Sequence, residues 1–488
     1  MHGSTRIWWL LLCAIALAAY GVIHLRSPRP APLTPGGGPV DALRTSVKGA
    51  NVIIVVMDAT RADHVGYHGY PRDTTPNLDI LSKESVVFER HFSQSAETKS
   101  STACLLTSQY CDTNLADGPR PLLPGTFTME AGLQKAGLHT LLISSNIKAS
   151  PFYGLGVDFQ DANFDPQLGV LATQGEKQYL PTVALRAFSN WLEDHSNDRF
   201  FAYLHLAPPH YPYEQPARFT REFAGLRPVS FKPGSVPYPE TIPAPFPTPP
   251  ALPEWINLYD ANLRYSDWAV GELIKQLQAS GLLDKTLLIV TADHGEAFGE
   301  HAHVWHGRSV YDEACHIPLL MRFPGSQLAG SRIRALTESV DMLPTIFDLL
   351  GARYPAQGIQ GRSLLPLLAG QRDSVSDYVF TRAGGKPSKY LVRSQDYALM
   401  LYSNGRWRAL YDLRKDPRER TNIIHANPAI AQTMTAAFRT FAGQQRRPPM
   451  DFLDPEAKMG PLPAVPDVAM SPENRALIKH LLDLGYMQ

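Results

Sequence analysis

The sequence predicts an α/β protein: a doubly wound, mostly parallel sheet flanked by helices, with a smaller C-terminal antiparallel sheet subdomain. Three observations lead there. Asn51 to Met57 is an almost unbroken run of apolar, mostly β-branched residues that stops on Asp58, the pattern of a strand buried on both faces of a parallel sheet. Thr286 to Thr291 repeats the design and leads into Ala292, Asp293 and His294. Between the two, apolar runs alternate with amphipathic segments, the βαβα order that builds such a sheet. Open α/β sheets bind ligands beyond the carboxyl ends of their strands. Two carboxylates and an imidazole brought to that edge make a nest for a divalent metal.

Taken in order, the chain opens with an uncharged run, Ile7 to Ile23, inside a segment of residues 1–25. At about 1.5 Å per residue it is just long enough to cross a bilayer core. Trp8, Trp9 and Tyr20 flank it as interfacial aromatics do, so an uncleaved membrane anchor is expected. A secretory signal with a cleavage site near Ala14 to Ala18 is the alternative. Both place the catalytic part outside the cytoplasm, in the periplasm or at the cell surface, anchored or secreted. Residues 26–48, rich in Pro and Gly, read as a tether without structure of its own.

The catalytic domain is expected over 49–370. Thr75 to Leu81 reads as a turn opening a short helix, Thr128 to Ala136 as a helix capped by Gly137, and His139 to Ser145 as a strand. Thr182 to His195 is an amphipathic helix before the strand Phe200 to Leu206. The Pro-rich stretch 213–254 reads as a lid or specificity element, and a helix over Asp260 to Ala279 leads into the second Asp-terminated strand. Asp341 to Leu350 is a further helix. Within 371–445, short strands are expected at Tyr378–Arg382, Tyr390–Arg393, Ala398–Tyr402 and Trp407–Leu413, the makings of a small antiparallel sheet. Residues 446–488 form a Pro-rich tail with a closing helix, Glu473 to Leu484.

Composition excludes some classes. Lys+Arg and Asp+Glu balance at 46 each, so nothing in the charge points to nucleic acid. The 4 cysteines do not make a disulfide framework. Cys13 lies in the apolar N-terminal run, and Cys104 and Cys111 can pair only if the helix between them ends early; buried free thiols are expected.

The motifs together resemble the sulfatase-like family of the alkaline phosphatase superfamily. The opening Asn51-…-Asp58-Ala-Thr-Arg61-Ala-Asp63-His-Val-Gly66 is followed in family order by Thr75-Pro-Asn-Leu-Asp79, Leu105-Leu-Thr-Ser108 and Pro209-His210-Tyr-Pro-Tyr213. Asp293-His-Gly-Glu296, His306-Gly307, Val340-Asp-Met-Leu-Pro-Thr345 and Leu410-Tyr-Asp-Leu-Arg-Lys-Asp-Pro417 complete the series. The departure lies at the nucleophile. Family sulfatases begin Cys-x-Pro-Ser-x-Arg there, with the Cys converted to formylglycine, whereas the register from Leu105 places Thr98 in Thr98-Lys99-Ser100-Ser101-Thr102. The resemblance therefore implies no formylglycine, and a Thr98 alkoxide as in the family's phosphotransferases and phosphodiesterases. A threonine ester cannot expel its group by collapsing to an aldehyde; it must be attacked again at the central atom, which suits phosphoryl transfer.

Asp58, Asp293 and His294, with Thr98 completing the set, are expected to hold one divalent ion, with Zn²⁺ or Mn²⁺ favoured over Mg²⁺ or Ca²⁺. Ala59 stands where the family has a second acid, so one metal is expected rather than two. His210 and His306 resemble positions facing the substrate and are assigned to its non-bridging oxygens or leaving group. Lys99 adds charge beside the nucleophile or points to solvent. His205 reads as a satisfied core histidine and Arg61 and Asp63 as a pair bracing a turn; His301, His303 and His306 could ligate a second metal, but two of the three read as loop residues. The expected function is hydrolysis, or transfer, of phosphate esters, with diesters favoured, by an exported, membrane-tethered enzyme. Family transferases acting on lipid head groups usually carry several membrane spans, which favours hydrolysis. Substrates are small-molecule, lipid head-group or glycan esters; oligomeric state is open. The alternatives are a sulfatase working without formylglycine and an inactive binding protein of the same fold.

Overall fold

The computed structural model describes residues 38–447 apart from 117–120, 164–179, 212, 214, 227–251, 302, 386–387 and 405–407. The expected anchor at 7–23, Cys13, most of the 213–254 stretch and the closing helix at 473–484 lie outside the described residues. No helix among the described residues is long and apolar enough to cross a membrane.

Eight strands form the main sheet: β1 (Asn51–Met57), β2 (Val86–Phe92), β3 (His139–Ser144), β4 (Asp161–Asn163), β5 (Phe200–Leu206), β6 (Thr286–Thr291), β9 (His316–Arg322) and β10 (Arg332–Glu338). A two-stranded ribbon, β7 (Ala297–Phe298) with β8 (Val304–Trp305), follows β6. The order in the sheet is β10-β2-β9-β6-β1-β5-β3-β4. β9 alone runs against its neighbours β2 and β6; the other pairings are parallel. This is the expected doubly wound, mostly parallel sheet.

Helices cover both faces, which is why β1 is apolar throughout. Val52, Ile54 and Val56 pack in one core with Leu105, Met129, Leu133, Ile346 and Phe347. Ile53, Val55 and Met57 pack in the other with Phe188, Tyr259, Leu263 and Leu273. At about 25 cal/mol per Å² of apolar area, burying such side chains on both faces is the main force holding the sheet. The helix over the second face spans Leu252–Ala279, eight residues more than expected at its start. Trp255, Ile256 and Tyr259 extend the buried stripe.

The expected tether needs correcting at its end. Pro39–Ser46 is a helix, with Pro at its first position, Asp41 in its first turn and Arg44 in its last. Leu43 and Val47 bury against the main sheet's first core, and Arg44 Nε donates to Asp348 O at 2.9 Å.

The C-terminal strands β11 (Val379–Ala383), β12 (Lys389–Arg393), β13 (Tyr397–Tyr402) and β14 (Arg408–Asp412) form an antiparallel sheet in chain order. Its Val392, Leu399 and Leu401 face the Pro428–Gly443 helix through Met434 and Phe438. The sheet docks beside the main domain's ligand edge: Arg382 N donates to Gln94 O at 3.0 Å and Gly384 N to Gly307 O at 2.9 Å.

Candidate active site

Four adjacent strands, β6-β1-β5-β3, end side by side, and each brings a polar side chain to its carboxyl end. Val56 lies opposite both His205 and Thr291, and His205 opposite Ser144. That register sets Asp58, His205, Asp293 and Asn146 around one point. The turn after β1 is tight: Ala59 takes φ +58°, the left-handed region, where its small side chain limits strain. The turn after β6 needs Gly295, because a Cβ there would meet Glu313 O at 2.1 Å.

Asp293 Oδ1 accepts two backbone N–H groups, from Ala59 at 3.1 Å and His294 at 2.9 Å. Its Oδ2 has no partner, nor has Asp58 Oδ1, although both are buried. Asp58 Oδ2 accepts from Asn146 Nδ2 and lies 3.2 Å from His205 Nε2, which is 3.8 Å from Asp293 Oδ2. His294 Nδ1 donates to Gly295 O at 2.8 Å, which fixes the tautomer and leaves the Nε2 lone pair facing inward. That nitrogen is 3.6 Å from Asp58 Oδ1 and 3.5 Å from Asp293 Oδ2. Two orphaned carboxylate oxygens, beside an imidazole nitrogen shared only with the Thr98 hydroxyl, fit a divalent cation: buried polar atoms left unpaired are costly unless a ligand satisfies them. Asp58, Asp293 and His294 would hold it, with His205 in reach of both carboxylates.

Thr98 closes the site from above the strand ends. It is the first residue of the Thr98–Thr107 helix, every residue of which is buried. Its Oγ1 lies 3.2 Å from His294 Nε2 and 3.5 Å from Asn146 Nδ2. The helix N-terminus adds positive potential there, which favours an oxyanion at Thr98. Ser101 Oγ donates to Asp293 O at 2.6 Å and locks the helix against β6. Lys99 is buried, its Nζ 5.1 Å from the centre of the Tyr153 ring, so it does not point to solvent.

A histidine pair forms the far wall. His210 Nε2 faces His306 Nε2 at 3.3 Å, and His306 Nδ1 lies 3.0 Å from Glu296 Oε1. His210 Nδ1 donates to Tyr211 O, so its Nε2 is an acceptor and His306 Nε2 supplies the hydrogen between them. The His306 ring stacks on His294, 4.5 Å between centroids. Burial pushes both His210 and His306 below the ordinary imidazole range. Burial also lifts the Glu296 carboxyl, to about 7. Asp58 is held far below the usual range: burial opposes ionisation, but His210, His205 and His294 outweigh it. Asp293 goes up, through burial and the nearby Asp58 charge. Two carboxylates this close repel, so one ionises readily while the other tends to keep its proton.

The structure thus brings together Asp58, Thr98, Asp293, His294, His210 and His306, with Lys99 alongside Thr98. His205 is buried and satisfied as expected, with Nδ1 3.3 Å from the Tyr203 hydroxyl and Nε2 3.2 Å from Asp58 Oδ2, and its Nε2 also borders the nest. The three histidines weighed for a second metal take separate partners, as the loop reading expected: His301 pairs with Glu313, His303 with Lys389 and His306 with Glu296. Arg61 and Asp63 pair as expected, at 2.7 Å. Asn146 and Glu296 were missed. Asn146 follows Ser144-Ser145 just past β3, and polar residues at a parallel strand's carboxyl end are a signal that could have found it. Cys104 and Cys111 are free and buried, with Sγ atoms 3.5 Å apart, because the intervening helix does end early, at Thr107.

The Sulfatase family model matches residues 50–352, more than half of the chain. The protein belongs to the sulfatase family. A second model, N-sulphoglucosamine sulphohydrolase, C-terminal, matches residues 299–443 and so covers the antiparallel sheet. An N-acetylglucosamine-6-O-sulfatase of Bacteroides thetaiotaomicron is 32% identical over 183 residues, 35% of this chain and 32% of that protein. The match thus spans about a third of that relative's length. An ulvan-active sulfatase of Formosa agariphila is 24% identical over 416 residues, 77% of each chain. The phosphonate monoester hydrolase of Agrobacterium radiobacter superposes with a TM-score of 0.68 at 21% identity, over 81% of this chain and 96% of its own.

Proposed function

We propose that this sulfatase-family protein is a metal-dependent hydrolase of phosphate esters, diesters above all, working through a covalent ester on Thr98. The observation that carries the reading is the placement of the Thr98 hydroxyl. It sits at a helix N-terminus, 3.2 Å from His294 Nε2 and over the Asp58–Asp293 nest, where family sulfatases require a formylglycine. No cysteine stands at that position, and Cys104 is buried in the helix interior.

Thr98 Oγ attacks the phosphorus and the alcohol leaves. A bound divalent cation would lower the pKa of the Thr98 hydroxyl and neutralise charge on the phosphoryl oxygens. Asn146 Nδ2, in reach of both Asp58 and Thr98, steers the hydroxyl and offers a donor to the oxygen that replaces it. The leaving alkoxide takes the His306 Nε2 proton, and the Glu296 carboxyl, lifted to about 7, replaces it at His306 Nδ1. Water then attacks the threonine ester at phosphorus, with the same pair accepting its proton, and free Thr98 returns. Lys99, buried beside the nucleophile, contributes fixed positive charge near the transferring group.

A second reading has one specific support: the curated relatives reported above are named sulfatases. It would place a sulfate ester on the same Thr98. A binding protein of the same fold is disfavoured, because orphaned buried carboxylates are destabilising without a catalytic return. Localisation outside the cytoplasm, with the 7–23 run as tether, is part of the proposal.

The test is turnover of matched phosphodiester, phosphomonoester, phosphonate and sulfate esters of one alcohol, with Zn²⁺, Mn²⁺, Mg²⁺ or Ca²⁺ restored to chelator-treated protein. A phosphodiester kcat/KM exceeding that for sulfate supports the proposal. The reverse order selects the sulfatase reading, and no turnover of any ester with any metal supports the binding protein.

A further inference from the structure

We infer that a second divalent-metal site, of the Zn²⁺ class, lies at the amino-terminal edge of the main sheet and is formed by His139, His195, Asp198 and Asp161. Four separate elements converge there. His139 opens β3, Asp161 opens β4, His195 ends the Leu180–His195 helix, and Asp198 lies in the turn that enters β5. β3 lies between this edge and Asn146, so the cluster is roughly 20 Å from the catalytic nest.

The hydrogen-bond inventory is what an ion pair alone does not explain. His195 Nδ1 donates to Trp191 O at 2.9 Å, so the Nε2 of a neutral ring carries a lone pair. That lone pair faces Asp161 Oδ2 at 3.9 Å. Both nitrogens of His139 also face carboxylates, Nε2 at 2.7 Å from Asp161 Oδ2 and Nδ1 at 3.4 Å from Asp198 Oδ2. A neutral imidazole has one N–H to give, so one of these nitrogens offers its carboxylate a lone pair, a contact that a cation or a further proton would satisfy. A metal ion satisfies the His195 lone pair and the second face of His139 at once, whereas a proton on His139 leaves His195 facing a carboxylate with nothing between.

The geometry is near what coordination requires. One ligand atom each from His139, His195 and Asp198 lie within 4.8 Å of one another. Ligands of a tetrahedral Zn²⁺ stand about 3.4 Å apart, so side-chain shifts of about 1 Å would close the set. Supporting contacts already hold the ligands. The Trp191 ring stacks on His195 at 4.3 Å between centroids with 6° between planes, and its Nε1 donates to Asp161 Oδ2 at 2.8 Å. A His ligand whose other nitrogen is pinned to a backbone carbonyl is the usual arrangement in zinc sites. The carboxylates are open to solvent, with side-chain exposures of 41% for Asp161 and 46% for Asp198, so an ion can enter and water can complete its shell. Imidazole with carboxylate selects Zn²⁺ over Ca²⁺ or Mg²⁺. Far from the chemistry, the ion would pin the β3–β4 edge to the end of the helix.

The experiment is a metal count on the full chain, stripped with chelator, loaded with Zn²⁺, dialysed and assayed by elemental analysis, beside thermal midpoints. His195→Gln, Asp198→Asn and His139→Gln should each retain one equivalent less than wild type, keep turnover within two-fold, and lose part of the Zn²⁺-induced rise in midpoint. The readout is the difference of one equivalent, so it stands apart from whether the catalytic nest binds. Co²⁺ loading adds a direct signature: the visible d–d absorption of the wild type should fall in His195→Gln. Equal counts and equal Co²⁺ spectra in wild type and His195→Gln would overturn the site. If His139→Gln does not fold, the other two variants carry the test.

Discussion

Replacing Asp293 by Asn separates what the nest costs from what it does. Asn keeps an Oδ1 to accept the Ala59 and His294 N–H groups, and places an amide where Oδ2 now has no partner. What it removes is a buried like-charge contact. Ligand atoms of Asp58 and Asp293 lie within 4.8 Å of each other. At an effective dielectric near 20, that repulsion is worth roughly 3 kcal/mol, an upper bound because a proton on Asp293 relieves it. For a domain of this size 1 kcal/mol moves the midpoint by about 1 °C. Chelator-treated Asp293→Asn should therefore melt up to about 3 °C above chelator-treated wild type, with the gap widening as pH rises and Asp293 ionises. With metal restored the order should invert, since wild type gains the binding free energy and the variant does not. Scanning calorimetry with and without chelator gives all four midpoints. A metal-free variant less stable than metal-free wild type, or equal metal-induced gains in both, would refute the assignment of these carboxylates to a cation.

Thr98→Ala should lower turnover by several powers of ten while Thr98→Ser stays within about ten-fold, since only the first removes the nucleophile. His306→Gln should slow alkyl esters by about 10²-fold or more and leave esters of acidic phenols little changed, because only poor leaving groups need the proton; equal losses would remove the acid role. Glu130 is fully buried with neither carboxylate oxygen partnered, and burial lifts it to about 8. A carboxyl raised in the folded state carries no penalty below its unfolded value near 4.5 and a growing one as pH rises to about 8. Glu130→Gln should thus match wild type in midpoint at pH 4 and exceed it at pH 8.5; a constant difference across that range would refute the linkage.

The strands that carry the site were legible because a parallel sheet buried on both faces leaves a strong mark, an apolar run that ends on a charged residue, as at Asp58 and Asp293. The family motifs then fixed Thr98, whose register no local pattern reveals. His205 was legible as a satisfied buried histidine, but its place beside the nest was not. It lies inside an apolar strand, and only the pairing of Val56 with His205 and Thr291 shows that its position is the strand's ligand end. Asn146 was hidden because β3 reaches the site through β5, a neighbour distant in sequence. The helix at Pro39–Ser46 was masked by the surrounding Pro and Gly, although Leu43 and Val47 carry its buried stripe. His301 and His303 lie between β7 and β8 and His306 just after β8, and each takes its own partner, as the loop reading of that cluster expected.

The covalent role of Thr98 is tested most directly by trapping. Metal-loaded protein is mixed with a phosphodiester, quenched in acid within one turnover, digested and analysed by mass spectrometry, with Thr98→Ala as control. The account predicts a phosphate ester, bearing the substrate's retained alcohol, on Thr98 in the wild type and none in the control. A sulfate ester on Thr98, formed from a sulfate substrate alone, would contradict the phosphate assignment. An unmodified Thr98 under rapid turnover, with Thr98→Ala still active, would contradict the covalent mechanism itself.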